Sequence, residues 1–245
     1  MKMWRRVLAE AQGTALLAFL ITASGGNPYA IALGLWIDIV GIGFIGGAHF
    51  NPIVTLSVMA KKKYFKALSK HEIMESTAYL VVQFPAAIIG AISGLAIRPS
   101  DFMINIGENS SIFQGLFAEA VFTGQMVLVI LIVGELMESK LVSALAVAIT
   151  VLAGILTVGS ISGACFNPFV CSSIDIVQYI RFNDSAYIDN LWIYYAGPLI
   201  GGIVATIAGC VYLTDSKFTK KRDEETINCA TQEGENCQCA LIKMV

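Results

Sequence analysis

Residues 45–56 read IGGAHFNPIVTL, and residues 161–172 read ISGACFNPFVCS. The two stretches lie 116 positions apart and are identical at seven of twelve positions. In each, small residues precede an Asn-Pro pair, and an apolar run follows it. Asn is a favoured helix N-cap, and Pro is favoured at the first helical position. The sequence therefore predicts that one short helix begins after Asn51 and another after Asn167.

The composition is that of an integral membrane protein. Of the 245 residues 56% are hydrophobic and 14% are charged, and the mean hydropathy is +0.70. Segments long enough to cross a hydrocarbon layer of about 30 Å run over 7–24, 28–46, 73–97, 113–134, 140–159 and 191–213. The apolar runs at 51–60 and 167–178 are too short to span, which is typical of re-entrant half-helices. The predicted fold is all-α, with six transmembrane helices and two re-entrant half-helices.

The chain also contains an internal repeat. AEAQGT at 9–14 opens the first helix of one half, and AEAVFT at 118–123 opens the first helix of the other. Because each half has three spans, the second half crosses the membrane in the opposite sense, and such inverted repeats place the functional site at the midplane. We predict a first repeat over 1–110, a second over 111–214, and a polar, disordered cytoplasmic tail over 215–245.

The distribution of basic residues predicts the orientation. Of the 16 Lys and Arg residues, 14 lie on the side of the two termini, so both termini are expected in the cytoplasm. The glycosylation sequons at Asn109 and Asn183 fall on the opposite side, and their use stays open. The tail cysteines Cys229, Cys237 and Cys239 are either free thiols or palmitoylation sites. Plasma membrane and endomembrane remain alternatives.

Several classes of function lack the residues they need. A net charge of −2 gives no reason to expect a nucleic-acid partner. With two histidines and no acidic cluster, no metal site and no cofactor is predicted. No nucleophile, base and acid can be grouped into a catalytic set, so an enzyme is not expected. An ion-coupled transporter would need an acid or His pair near the midplane, and none is evident.

The two predicted half-helices give a physical basis for selective permeation. Their N-termini should meet near the membrane centre, each carrying about half a positive charge from its helix dipole. The side chains of Asn51 and Asn167 can donate amide N–H groups to a passing oxygen, which interrupts proton hopping, and the dipoles repel cations. The sequence thus predicts a passive channel for water and small uncharged solutes such as glycerol or urea.

These motifs together resemble the aquaporins of the major intrinsic protein family. The resemblance rests on the paired AE…T segments, GGAHFNP at 46–52, Gln83, WIYYAGPLIGG at 192–202 and the two Asn-Pro boxes. It implies a right-handed six-helix bundle with one pore per subunit, assembled as a homotetramer among membrane lipids. It further implies that Glu10 and Glu119 support the loops before the half-helices, and that His49 lies at the pore mouth.

The sequence departs from the family at the midplane and at the selectivity constriction. The midplane residues are Asn51, Pro52, Ile53, Asn167, Pro168 and Phe169, and Ile53 and Phe169 stand where the family has Ala. These bulkier side chains are expected to reshape or narrow the midplane. The constriction is predicted from Leu33 or Ile31, Ile155, Ala164 and Val170, the last at the position of the family's arginine.

An apolar constriction has two opposite consequences. A wide one passes glycerol and urea with water, whereas a narrow one dewets and conducts poorly. A structural membrane protein with a closed pore is therefore the alternative function. Cys165 and Cys171 flank the second box, and either one of them is accessible to mercurials or both are buried by packing.

Overall fold

Residues 1–99 and 101–214 are described by the computed structural model, and their regular structure is helical. The helices are α1 (Met3–Ser24), α2 (Pro28–Ile42), α3 (Pro52–Tyr64), α4 (Lys70–Ile97), α5 (Ile112–Leu136), α6 (Lys140–Ser162), α7 (Pro168–Phe182) and α8 (Ile193–Thr214), with a 3₁₀ turn at Ser185–Tyr187. The predicted tail and its three cysteines lie outside the described residues.

The predicted fold class is confirmed, although several helix bounds differ from the predicted ones by three or four residues. Within the described residues, α1, α4, α5, α6 and α8 are long and apolar enough to cross a membrane. The remaining predicted span, 28–46, is represented by α2, which ends at Ile42 after 15 residues and is about 22 Å long. The two half-helices α3 and α7 begin directly after the Asn-Pro asparagines, with the prolines at their first positions.

Local sequence signals set several helix ends. Ser69 accepts a hydrogen bond from the Glu72 backbone N–H while the Glu72 carboxylate accepts one from the Ser69 N–H, which forms a capping box at the start of α4. Ser111 and Gln114 form the same arrangement at the start of α5. Helix α1 ends at Ser24 and is capped by Gly25, which adopts the left-handed conformation with φ 65°.

Helices pair in the same way in the two halves. The most extensive contacts join α1 to α4 and α5 to α8, while α3 lies on α8 and α7 lies on α4. A Cβ added to Gly90 would lie 2.0 Å from the carbonyl oxygen of Ala15, and one added to Gly201 would lie 1.9 Å from that of Ala120. Because backbone cannot move aside, only glycine permits either crossing. This equivalent pairing brings the starts of α3 and α7 together in the centre of the bundle.

Candidate functional site

The starts of the two half-helices are joined by reciprocal hydrogen bonds. The side-chain nitrogen of Asn51 donates to the carbonyl oxygen of Phe166 at 2.8 Å, and that of Asn167 donates to the carbonyl oxygen of Phe50 at 2.7 Å. Each asparagine oxygen also caps its own helix, by accepting from the N–H of Ile53 at 2.9 Å or of Val170 at 3.4 Å. The positive ends of the two helix dipoles therefore lie side by side.

The loops before the two asparagines have matching and unusual backbone conformations. We call residues 45–51 the first box loop and residues 161–167 the second box loop. Ala48 and Phe50 have φ 49°, and Ala164 and Phe166 have φ 52° and 58°. Left-handed backbone is unfavourable for residues with a Cβ, and it persists only where surrounding contacts enforce it. Both loops must therefore be held from outside.

Glu10 holds the first box loop. Its side chain is fully buried, and it accepts hydrogen bonds from the backbone N–H groups of His49 at 3.1 Å and Phe50 at 2.5 Å. The Gln83 amide donates a third bond at 2.8 Å and also donates to the Thr55 hydroxyl at 3.1 Å. A buried carboxylate needs such donors, so this group and the loop stabilise each other.

Glu119 occupies the corresponding position in the second half. It is fully buried and accepts from the backbone N–H groups of Cys165 at 3.1 Å and Phe166 at 2.8 Å. Its third donor is the hydroxyl of Ser162 at 2.7 Å, and that hydroxyl in turn accepts from the Ala164 N–H at 3.1 Å. Each half thus uses one glutamate to fix the two amides immediately before its asparagine.

A cavity of about 280 Å³, here called the pore cavity, runs past both asparagines. Its wall contains Asn51 and Asn167, the box-loop residues 48–50 and 163–166, a loop at residues 102–105, and apolar side chains of α1, α2, α5 and α6. A second cavity of about 450 Å³, the mouth cavity, lies beside Arg6, Lys62, Glu72 and Glu75. A solute crossing the bundle would have to pass through both the mouth cavity and the pore cavity.

The two cavities meet at a neck. Residues that line both are Ile39, Ala48, His49, Ile130 and Val147. His49 is the polar member of this set: its Nδ1 lies 3.1 Å from the Thr55 hydroxyl, and its ring meets Tyr79 edge to face at 5.4 Å between centroids. The histidine predicted at the pore mouth is therefore placed where the mouth cavity joins the pore cavity.

The model of the family described as "Major intrinsic protein" matches residues 1–212. The chain belongs to the major intrinsic protein family. It is 28% identical to aquaporin-8 of Mus musculus, over 86% of this chain and 82% of that one. It is also 28% identical to aquaporin-4 of Homo sapiens, over 94% and 74%. Its fold is similar to that of the aquaglyceroporin from Plasmodium falciparum, with a TM-score of 0.66 and 20% identity over 87% of this chain and 96% of that one.

Within this major intrinsic protein fold, the expectation for the second span is corrected. Leu33 is 56% exposed on the outer face of α2 and does not line the pore cavity. Ile31, the alternative, is 5% exposed and does line it. Ile155 and Ala164 also lie in the cavity wall. The structure therefore places Ile31, Ile155 and Ala164 around the same space.

Val170, at the position of the family's arginine, lies apart from that group. Its side chain is completely buried and does not line the pore cavity. The corresponding residue of the first half, Val54, does line it. The predicted four-residue constriction is thus reduced to three side chains, and the wall is completed by other residues.

The two bulky residues of the altered boxes face away from the pore cavity. Ile53 packs on α8, where a Cβ on Gly202 would lie 2.3 Å from its Cγ2 atom. Phe169 meets the ring of Phe84 on α4 at 5.6 Å between centroids. Neither residue lines either cavity, nor do Pro52 and Pro168. The expected narrowing of the midplane by Ile53 and Phe169 is therefore not observed.

Cys165 and Cys171 form a disulfide across the start of α7, with 6.1 Å between their Cα atoms. Cys165 lines the pore cavity, whereas Cys171 is completely buried in the first turns of the helix. The bond therefore ties a residue of the cavity wall to the half-helix behind it.

Sequence reasoning missed the loop at residues 102–105. Phe102, Met103, Ile104 and Asn105 all line the pore cavity, and Asn105 is a polar group in a wall predicted to be apolar. No motif marks this loop. The available signal was Asp175, an acid in the apolar run of α7, whose carboxylate accepts from the Ile104 N–H at 3.1 Å.

Proposed function

We propose that the protein is a passive channel for water and small uncharged solutes, glycerol and urea among them. The observation that carries this proposal is the pair of asparagines in the wall of the pore cavity, at the adjoining starts of two half-helices. The curated relatives carry the name aquaporin, and the similar solved structure is titled an aquaglyceroporin. Both names agree with a neutral permeant.

The asparagines supply hydrogen bonds that replace those of bulk water. Each side-chain nitrogen carries two hydrogens, and one is used in the bond to the opposite box loop. The remaining hydrogens can be donated to the oxygen of a permeating molecule. A water that accepts from these donors turns its own hydrogens away from the centre on both sides, and this breaks the continuous orientation that proton hopping requires.

Ions are opposed by the same arrangement. Among the described residues, no Asp, Glu, Lys or Arg side chain lines the pore cavity. An ion entering it would lose hydration without gaining a counter-charge, which is costly in a low-dielectric space. The converging dipole ends add a barrier specific to cations. A neutral solute with one hydroxyl or amide face meets neither penalty.

The closed-pore alternative is less well supported. It rested on the bulk of Ile53 and Phe169 and on the apolar constriction, and the first of these grounds is removed because both side chains pack on neighbouring helices. No enzymatic activity forms part of the proposal.

The proposal includes a topology and an assembly. Both termini face the cytoplasm, in accord with the 14 basic residues on that side, and the chain assembles as a homotetramer. Asn109 and Asn183 are exposed at the opposite end of the bundle, where glycosylation would be possible. Protease access to tags on either terminus in sealed vesicles tests the topology. Native mass spectrometry of the detergent-solubilised protein tests the tetramer.

Stopped-flow light scattering on proteoliposomes tests the channel itself. Osmotic shrinkage with an impermeant solute should be several-fold faster than in empty liposomes, and re-swelling should follow with glycerol or urea. Substitution of both asparagines, Asn51→Leu with Asn167→Leu, should abolish the difference if the protein still inserts. Shrinkage no faster than in empty liposomes for the unmodified protein would refute the proposal.

A further inference from the structure

The loop at residues 102–105 completes the wall of the pore cavity at the end remote from His49. It lies directly on the second box loop: a Cβ on Gly163 would come within 2.9 Å of the Ile104 side chain and 3.2 Å of the Asn105 nitrogen. The Gly107 N–H donates to the carbonyl oxygen of Ile161 at 3.0 Å. The position of this loop therefore determines how much space remains beside Ala164.

Two side chains of α7 hold the backbone of this loop. The Asp175 carboxylate accepts from the Ile104 N–H at 3.1 Å, and the Gln178 amide donates to the carbonyl oxygen of Phe102 at 2.8 Å. The two are three positions apart on α7 and so share a face. Their bonds flank Met103, a residue of the cavity wall. The loop is thus attached to the half-helix on both sides of a pore-lining residue.

Burial of the Asp175 side chain costs folding free energy. It is completely buried in a membrane-embedded half-helix, and its second oxygen has no hydrogen-bond partner in the part of the chain that the structure describes. Acidic side chains at such depth are rare because they are costly to bury. The bond to Ile104 is the hydrogen bond this carboxylate makes there.

The half-helix fold does not itself require an acid at this place. Asp175 is the eighth residue after Asn167, and the eighth residue after Asn51 is Met59. Helix α3 therefore forms the same capped half-helix with an apolar residue at the equivalent position. The acid at position 175 is therefore explained by a contact that only the second half makes, the one to the loop at 102–105.

We infer that Asp175 is the positioning residue that sets the width of the pore at this end, by fixing the loop at 102–105, and thereby sets the largest neutral solute that passes. This inference rests on the proposed function. With the loop held, Ile31, Ile155 and Ala164 face a fixed opposite wall. With the loop released, that wall retreats and larger polyols enter.

The test compares Asp175→Leu with Asp175→Asn in proteoliposomes. Asparagine keeps an oxygen that can accept from the Ile104 N–H, whereas leucine has a similar size and no acceptor. Permeabilities to water, glycerol and erythritol are measured by stopped flow and expressed as ratios to water. The matched control is Asp38→Leu, because Asp38 is another buried acid of a membrane helix and lines neither cavity.

Loss of one hydrogen bond of ordinary strength raises the population of the released loop by on the order of fivefold. In Asp175→Leu the glycerol-to-water and erythritol-to-water ratios should therefore rise by up to that factor. Asp175→Asn and Asp38→Leu should keep the ratios of the unmodified protein. Hydrogen–deuterium exchange of the peptide that contains Ile104 should be faster in the leucine variant alone. A general loss of folding would lower all permeabilities together and leave the ratios unchanged.

Unchanged ratios in a folded Asp175→Leu protein would overturn the inference, as would an Asp175→Asn protein that behaves like the leucine variant. If Asp175→Leu does not insert, the deciding variant is Gln178→Leu, because it releases the same loop at Phe102. Unchanged permeability ratios in a folded Gln178→Leu protein would also overturn the inference. The proposed function fails separately, since it fails only if the unmodified protein conducts nothing.

Discussion

Glu119→Gln tests how the second box loop is held. The carboxylate accepts three hydrogen bonds, from the Ser162 hydroxyl and from the N–H groups of Cys165 and Phe166. Glutamine replaces one acceptor oxygen with an NH₂ group of nearly the same size. Whichever way the new amide turns, a backbone N–H is left facing another donor in a site that excludes water.

The magnitude follows from those contacts. Loss of a hydrogen bond to a charged group costs about 1.5–3 kcal/mol, and a buried donor without a partner costs about 1–3 kcal/mol. Because the two penalties describe partly the same loss, we expect the free energy of unfolding to fall by about 3 kcal/mol. Water permeability per folded protein should fall as well, since the Phe166 carbonyl orients the Asn51 side chain.

The free energy is measured by SDS-induced unfolding in mixed micelles, and permeability by stopped flow. Glu108→Gln is the matched control, because Glu108 is exposed and a surface change of this kind stays within about 0.5 kcal/mol. If Glu119→Gln unfolds at the same SDS fraction as Glu108→Gln, the carboxylate does not hold the loop and the reasoning is wrong.

Three further predictions concern the pore wall and the helix crossings. Ile53→Ala should leave water permeability unchanged while lowering stability by about 2–5 kcal/mol, because the side chain is buried away from the cavity; faster water flux would show that it blocks the pore. In the unmodified protein a mercurial should inhibit water flux only after the Cys165–Cys171 disulfide is reduced. In Cys171→Ser, which frees Cys165 in the cavity wall, the mercurial should inhibit water flux without reduction, as measured by osmotic shrinkage. Gly201→Ala should lower the unfolding temperature, with a cost of about 1–3 kcal/mol, because its Cβ meets backbone at 1.9 Å; Gly134→Ala, with nothing within 4 Å, should not.

The half-helices could be predicted because their starts are encoded locally. An Asn cap followed by Pro specifies where a helix begins with little help from distant residues. The end of α2 at Ile42 was not predictable in that way. The chain after Ile42 leaves the helix to enter the first box loop, which is held by Glu10. Glu10 lies 39 positions before His49, from whose N–H it accepts a hydrogen bond. Contacts at that separation are not readable from an apolar run.

The direction of side chains was harder to predict than the helices that carry them. Two neighbouring candidates on α2, Ile31 and Leu33, differ by about 200° around the helix axis. An uncertainty of two positions therefore exchanges the pore face for the outer face, and Leu33 proved to be on the latter. Ile53 and Phe169 show the same limit: their bulk was evident from sequence, but the neighbours that accommodate it, Gly202 and Phe84, belong to other helices.

The two halves differ in the residue that donates the third hydrogen bond to the buried glutamate, and this difference distinguishes the two ends of the pore. Glu10 takes its third donor from Gln83 on α4, and Gln83 continues through Thr55 to His49 at the neck. Glu119 takes its third donor from Ser162, whose carbonyl oxygen accepts from the Tyr194 hydroxyl of α8 at 2.6 Å. The shared parts, a glutamate and two backbone amides, build the midplane twice. The parts that differ place His49 at one end of the pore cavity and the fixed loop at 102–105 at the other. Selection among neutral solutes should therefore be sought at these two ends, where the halves are not equivalent.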